Sequence, residues 1–207
     1  MKEYTTISSN EATIENVIEK SRFIASAIHV DTVEQAAEFV ESKRKKYYDA
    51  THNCYAYIVG DKAKFSDDGE PQGTAGMPIY ECIKNNSLDC VCVVVTRYFG
   101  GVKLGAGGLV RAYSGACADV LRSAGKVSMR DCCRAEAVVG YSMLKTLRRA
   151  MQPYAIEENI EFDDKVRLQY LFLSGLSTTI TDIISQNTLG KGIFTIKERL
   201  LYPYIGK

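Results

Sequence analysis

Residues 91–113, VCVVVTRYFGGVKLGAGGLVRAY, join an apolar β-branched run, a cationic and aromatic corner, five glycines within nine residues and an amphipathic helix without a break. A buried strand must therefore turn sharply into a helix. Glycine accepts positive φ and lets backbone approach a neighbour or a ligand closely. The helix start adds unpaired N–H donors at the positive end of its dipole. Arg97 precedes the loop, Lys103 lies in it and Arg111 follows in the first turns of the helix. With Tyr98, Gly100, Gly101, Gly105, Gly107 and Gly108, these cations form a candidate site for phosphate or nucleic acid. The loop does not match the nucleotide fingerprints: no Gly is followed five residues later by Gly-Lys-Ser/Thr, and Val110 stands where a third glycine would be needed. A strand-to-helix connection whose glycines serve only packing would give the same backbone pattern, so the three cations are what favour binding.

At 207 residues and 46% hydrophobic content the chain can bury a substantial core, and its length suggests one or two domains. A net charge of +1 provides no global field for nucleic acid, so such binding must rest on a local patch. The N-terminal residues lack a signal-peptide core, and the most apolar run, Val91 to Val95, is far short of a membrane span. A cytoplasmic protein with no membrane partner is expected. Seven cysteines, an odd number without any C-x-x-C, suit buried reduced thiols better than a disulfide framework.

Periodicity divides the chain in two. The first part reads strand (RFIASAIHV), helix with Val33, Ala36, Ala37 and Val40 behind the capping candidates Asp31 and Thr32, strand (HNCYAYIV), acidic loop, short helix from about Met77 to Asn86 with Thr74 as its cap, strand (CVCVVVT), and a long helix stopped by Gly125. The second reads strand (AEAVVGY), helix, strand (IEENIEF), turn at Asp163-Asp164, strand (VRLQYLFL), helix, strand (IFTIKERL). That βαββαβ order is the split-βαβ pattern of ferredoxin-like domains, with both helices on one face of a four-stranded sheet.

Other clusters admit two readings each. Asp67, Asp68 and Glu70 surround Gly69 and could hold Mg²⁺ against bound phosphate, or shape a turn and pair with Arg97 or Arg111. His52 and Cys54 face one side of a predicted strand, which allows an activated thiol, a zinc site shared with Cys90 and Cys92, or plain packing. Lys43 to Lys46 followed by Tyr47 and Tyr48 read as a solvated helix end or an RNA-backbone contact. Phe99 and Tyr113 could stack bases, and Arg148 with Arg149 forms a lesser basic spot.

The blocks HNCYAY (52–57), FSDDGEPQGTAGMP (65–78) and VTRYFGGVKLGAGGLVRAY (95–113), in this order and spacing, resemble the signature of the YigZ/IMPACT family. The resemblance implies an α+β protein: residues 1–132 as an N-terminal α/β domain resembling the second domain of a small-subunit ribosomal protein, and residues 133–207 as a ferredoxin-like domain similar to one in elongation factor G. Eukaryotic relatives regulate translation initiation, and bacterial ones are suspected nucleic-acid binders. The expected function is non-enzymatic: regulation of translation through RNA or a ribosome-associated partner held at the glycine-rich cationic loop, with no resident cofactor. Two alternatives stand beside it, a Mg²⁺-assisted enzyme acting on a small phosphorylated ligand and a protein-interaction adaptor using the C-terminal sheet.

Overall fold

Side-chain alternation along one central strand sets the layers of the first part of the chain. The computed structural model describes residues Met1–Tyr204 and separates into two units, Tyr4–Val127 and Met1–Glu3 together with the chain from Ser128 onward. In the first unit the elements are β1 (Tyr4–Ile7), β2 (Glu11–Ile18), β3 (Ser21–His29), α1 (Val33–Lys46), β4 (His52–Val59), β5 (Lys62–Ser66), α2 (Gly76–Asn85), β6 (Val91–Tyr98) and α3 (Gly105–Ala124). The sheet order β2-β3-β6-β4-β5 is antiparallel at every pairing.

Odd-numbered Val91, Val93 and Val95 of β6 join Phe23, Ala25, Cys54 and Ala56 under α2 and α3, whose Ile79, Ile83, Leu109, Tyr113 and Val120 complete the core. Even-numbered Cys92 and Val94 join Tyr55 and Tyr57 under Ala36, Phe39 and Val40 of α1. β6 is thus covered on both faces, which is why its sequence is continuously apolar rather than alternating. Thr32 caps α1 by accepting from the Gln35 N–H, and Gly125 ends α3 at φ +70°.

Strands β1, β2 and β5 are additions to the elements expected from sequence. In β2 the charged and polar residues of EATIENVI alternate with half-buried ones, and β5, KAKFS, is an almost wholly exposed edge, so neither carries a strong apolar signal.

The second unit contains β7 (Lys126–Val139) from Ser128 onward, α4 (Tyr141–Met151), β8 (Ile156–Phe162), β9 (Val166–Leu173), a short 3₁₀ turn (Ser174–Leu176), α5 (Ser177–Thr188) and β10 (Ile193–Pro203). Its antiparallel strands run in the order β10-β7-β9-β8. Leu147 and Met151 of α4 and Ile180 and Ile184 of α5 share one core with Val166, Leu168, Tyr170 and Phe172 of β9 and with Ala135, Ala137 and Val139 of β7. β7 begins well before the expected strand at Ala135, because the polar KVSMRD stretch is drawn into pairing by β10 as far as Met129–Pro203.

All seven cysteines are free thiols. No helix among the described residues is long and apolar enough to cross a membrane.

Candidate anion site at one end of the first sheet

Strand register brings the sequence-predicted residues to a common edge. Arg97 lies between Phe23 of β3 and His52 of β4, and Ser66 at the end of β5 pairs with Tyr55. The end of β6, the starts of β3 and β4 and the end of β5 therefore coincide. From this edge residues 67–75 lead into α2 and residues 99–104 into α3.

The acidic loop is held by protein donors. Asp67 accepts from the N–H of Gly73 at 2.8 Å through one oxygen and from Ala75 and Gly76 at 3.0 and 2.8 Å through the other. It supplies the cap of α2 that was expected of Thr74, whose hydroxyl instead donates to the Pro71 carbonyl. Burial by itself raises the Asp67 carboxyl, but these N–H groups more than reverse that and hold its pKa below the usual Asp value. Asp68 accepts from the Asn53 N–H and from Arg44, at 2.7 and 2.9 Å. Glu70 is buried and accepts at one oxygen from Arg97 at 2.7 Å and from the Tyr113 hydroxyl at 2.8 Å.

This arrangement corrects several sequence expectations. Arg97 shares the face of Val95, beneath the helices, and is buried with its guanidinium 5.4 Å from the ring centres of both Phe23 and Phe99. It is an internal brace for Glu70 and unavailable to an external phosphate. Tyr98 points to the opposite face of the sheet, where its hydroxyl donates to Asp49 and Arg22 lies over its ring, so Arg97 and Tyr98 cannot hold one ligand between them. Tyr113 is fully buried and stacks no base. The basic run on α1 is likewise divided: Lys43 is buried against Glu11 at 2.6 Å, and Arg44 is engaged by Asp68.

His52 and Cys54 are both engaged within the fold. The imidazole Nδ1 bonds the Asp68 carbonyl at 2.8 Å, and Nε2 lies 3.9 Å from Glu70. The Cys54 thiol donates to the Asp67 carbonyl at 2.9 Å, and burial pushes its pKa far above the ordinary thiol range, which removes the thiolate a nucleophile requires. Cys92 faces α1 while Cys54 faces α2 and α3, so the imagined zinc quartet does not converge.

The glycines separate by role. A Cβ on Gly100 would come within 2.0–2.4 Å of the backbone of Lys20 and Ser21, so this position is fixed by packing against the β2–β3 turn. Gly101 (φ +85°) and Gly105 (φ +68°) have nothing within 4 Å of such a Cβ. α3 starts with no side-chain cap and no acidic residue in its first turn, and Gly105, Ala106 and Gly107 are exposed. Lys103 and Arg111 are exposed there, with no ion pair among the described residues. Together with Ile18, Glu19, Leu104 and Gly108 they line a cavity of about 460 Å³. Glu19, at φ +46° in the β2–β3 turn, is a wall residue that sequence reasoning missed, because β2 gave no signal from which to place that turn.

A sequence model of the Impact N-terminal domain matches residues 19–121, which hold the acidic loop, Arg97, Lys103 and Arg111. IMPACT family member YvyE of Bacillus subtilis (strain 168) is 41% identical over 162 residues, covering 73% of this chain and 75% of that protein. The chain belongs to the YigZ/IMPACT family. Its relative YigZ of Escherichia coli (strain K12) is 45% identical over 115 residues, covering 53% of this chain and 56% of the other. A solved structure described as the crystal structure of an hypothetical protein superposes with a TM-score of 0.62 at 30% identity, covering 96% of this chain and 98% of that one. In this member of the IMPACT family, the matched segment runs from the turn that packs on Gly100 through most of α3.

Proposed function

We propose that the chain acts in the regulation of translation, in the cytoplasm and without substrate turnover, by holding RNA phosphates at the start of α3. Lys103 and Arg111, both exposed and without an ion pair among the described residues, beside a helix start with no side-chain cap, are the observation that supports this reading most. The exposed N–H groups of the first turn and the positive helix end add attraction for a phosphate oxygen. Arg97 takes no direct part; it braces Glu70 and shares the Ser21 hydroxyl with the Gly100 N–H at the start of the loop. IMPACT membership supports a role connected with translation. The first unit is read as similar to a domain of a small-subunit ribosomal protein. The β10-β7-β9-β8 order of the second, 4-1-3-2 in its own strand count, supports a ferredoxin-like domain of the elongation-factor G kind.

The test is binding of a single-stranded RNA, followed by fluorescence anisotropy over a range of salt. Affinity is expected to fall linearly on logarithmic axes, and Lys103→Ala or Arg111→Ala each to reduce the slope by about 0.7 per lost phosphate contact. Salt-independent binding, or slopes that both variants leave unchanged, would refute the proposal.

A further inference from the structure

A second polar cavity lies within the second unit, between the C-terminal end of α4 and strands β8 and β9. It has a volume of about 500 Å³ and is lined by Arg148, Arg149, Gln152, Ala155, Glu157 and Tyr170. Tyr170 is 1% exposed, yet its hydroxyl has no hydrogen-bond partner among the described residues. Buried hydroxyls are almost always satisfied, so an unpartnered one on a residue that lines a cavity calls for a partner from outside the fold.

The other polar groups indicate what that partner is. Arg148 forks onto Glu157 with two bonds of 2.8 Å, which fixes its plane while leaving three of its five N–H donors unused. Arg149 is exposed and has no ion pair among the described residues. Two guanidinium groups thus face one carboxylate, leaving the wall with a positive excess. Burial raises the Tyr170 hydroxyl pKa, with Glu157 raising it further and Arg148 lowering it, so the hydroxyl stays protonated as a donor. A cavity of this size with a few convergent polar groups suits a small molecule.

We propose that this cavity binds a small molecule bearing a phosphate or carboxylate group, the oxyanion held by Arg149 and the free edge of Arg148, with Tyr170 donating to a ligand oxygen at the floor. The site is separate from the start of α3 and does not depend on the proposed role of that region. A nucleic-acid backbone could meet surface arginines without any use for a hydroxyl at the bottom of a cavity, which favours the small ligand.

The test uses the full chain carrying Lys103→Ala and Arg111→Ala, so that the α3 site does not compete. Inorganic phosphate, glycerol phosphate and succinate are titrated separately while the Tyr170 ring signals are followed by NMR. At least one probe is expected to shift those signals saturably. Adding Arg149→Ala should weaken that binding about tenfold or more, and Tyr170→Phe, followed through the backbone amide signals of Gln152 and Glu157, about fivefold. Without ligand, Tyr170→Phe should leave the thermal midpoint unchanged or raised, because it removes an unsatisfied group. A clearly lowered midpoint would show that the hydroxyl has an internal partner and overturn the assignment. So would the absence of saturable shifts with all three probes, or saturation that neither variant changes. If single-stranded RNA moves the Tyr170 signals and the small anions do not, the cavity belongs to an RNA interface and the small-ligand assignment falls.

Discussion

Arg97 donates to Glu70 at 2.7 Å beneath the helices of the first unit, with their side chains only 6% and 3% exposed. The pair links the end of β6 to the loop that enters α2, and Tyr113 of α3 donates to the same Glu70 oxygen. One carboxylate thus fastens three elements around the candidate site. A buried charge left alone is far costlier than the pair is stabilising.

Replacing Glu70 by Ala is therefore expected to destabilise the first unit by about 3–5 kcal/mol, because Arg97 would remain buried without its counter-charge. The double replacement Arg97→Met with Glu70→Leu should recover most of that loss. Urea unfolding curves of the two proteins decide the matter, and a single variant as stable as the parent would show that water reaches Arg97.

Acid should weaken the entry to α2 through Asp67. Its folded pKa is depressed, so its contribution is complete above the ordinary Asp value of about 3.9 and is lost as pH falls through the lower folded value. Asp67→Asn is expected to cost about 1–2 kcal/mol at neutral pH and to flatten the acid limb of the stability profile. Denaturation midpoints for both proteins between about pH 3 and pH 7 provide the comparison, and parallel profiles would exclude the carboxylate as the titrating cap.

Two glycines seven positions apart, Gly100 and Gly107, should respond with opposite signs. Gly100→Ala drives a Cβ into the Lys20 backbone and is expected to cost several kcal/mol, roughly as overpacking does at its upper end. Gly107→Ala meets only the end of the Arg111 side chain at 3.6 Å and should stabilise the start of α3 by up to about 1 kcal/mol. Thermal midpoints that move in the same direction would contradict the division of roles.

Alkylation should distinguish the thiols. A hydrogen bond from Cys117 lowers the Cys82 pKa, and Cys82 is partly exposed on α2, whereas burial raises Cys54, Cys92 and Cys117. Iodoacetamide applied to the native protein is expected to label Cys82 ahead of those three, as read by peptide mass spectrometry. Early labelling of Cys54 would mean that the 67–75 loop opens readily.

The parts legible in sequence were those with a local signal. HNCYAYIV, IEENIEF and VRLQYLFL coincide with β4, β8 and β9, and Gly125 ends α3 where expected. Even the inward turn of Arg97 was latent in the alternation of Val91, Val93 and Val95, but the flanking glycines made its charge look like a ligand contact. What stayed hidden depended on distant chain. Asp67 caps a helix that starts nine residues later, and the need for glycine at position 100 arises from Lys20, on a turn between two strands of which one had no clear pattern.

The contact between Gly100 and the β2–β3 turn also limits where this protein can change. The near end of the 99–104 loop is clamped by Lys20 and Ser21, and its far end is fixed by the first turn of α3. Between those anchors Gly101 is held by its φ of +85° and Leu104 by packing on the core, so diversification of ligand preference among close relatives should concentrate at positions 102 and 103, where charge can change without moving either end.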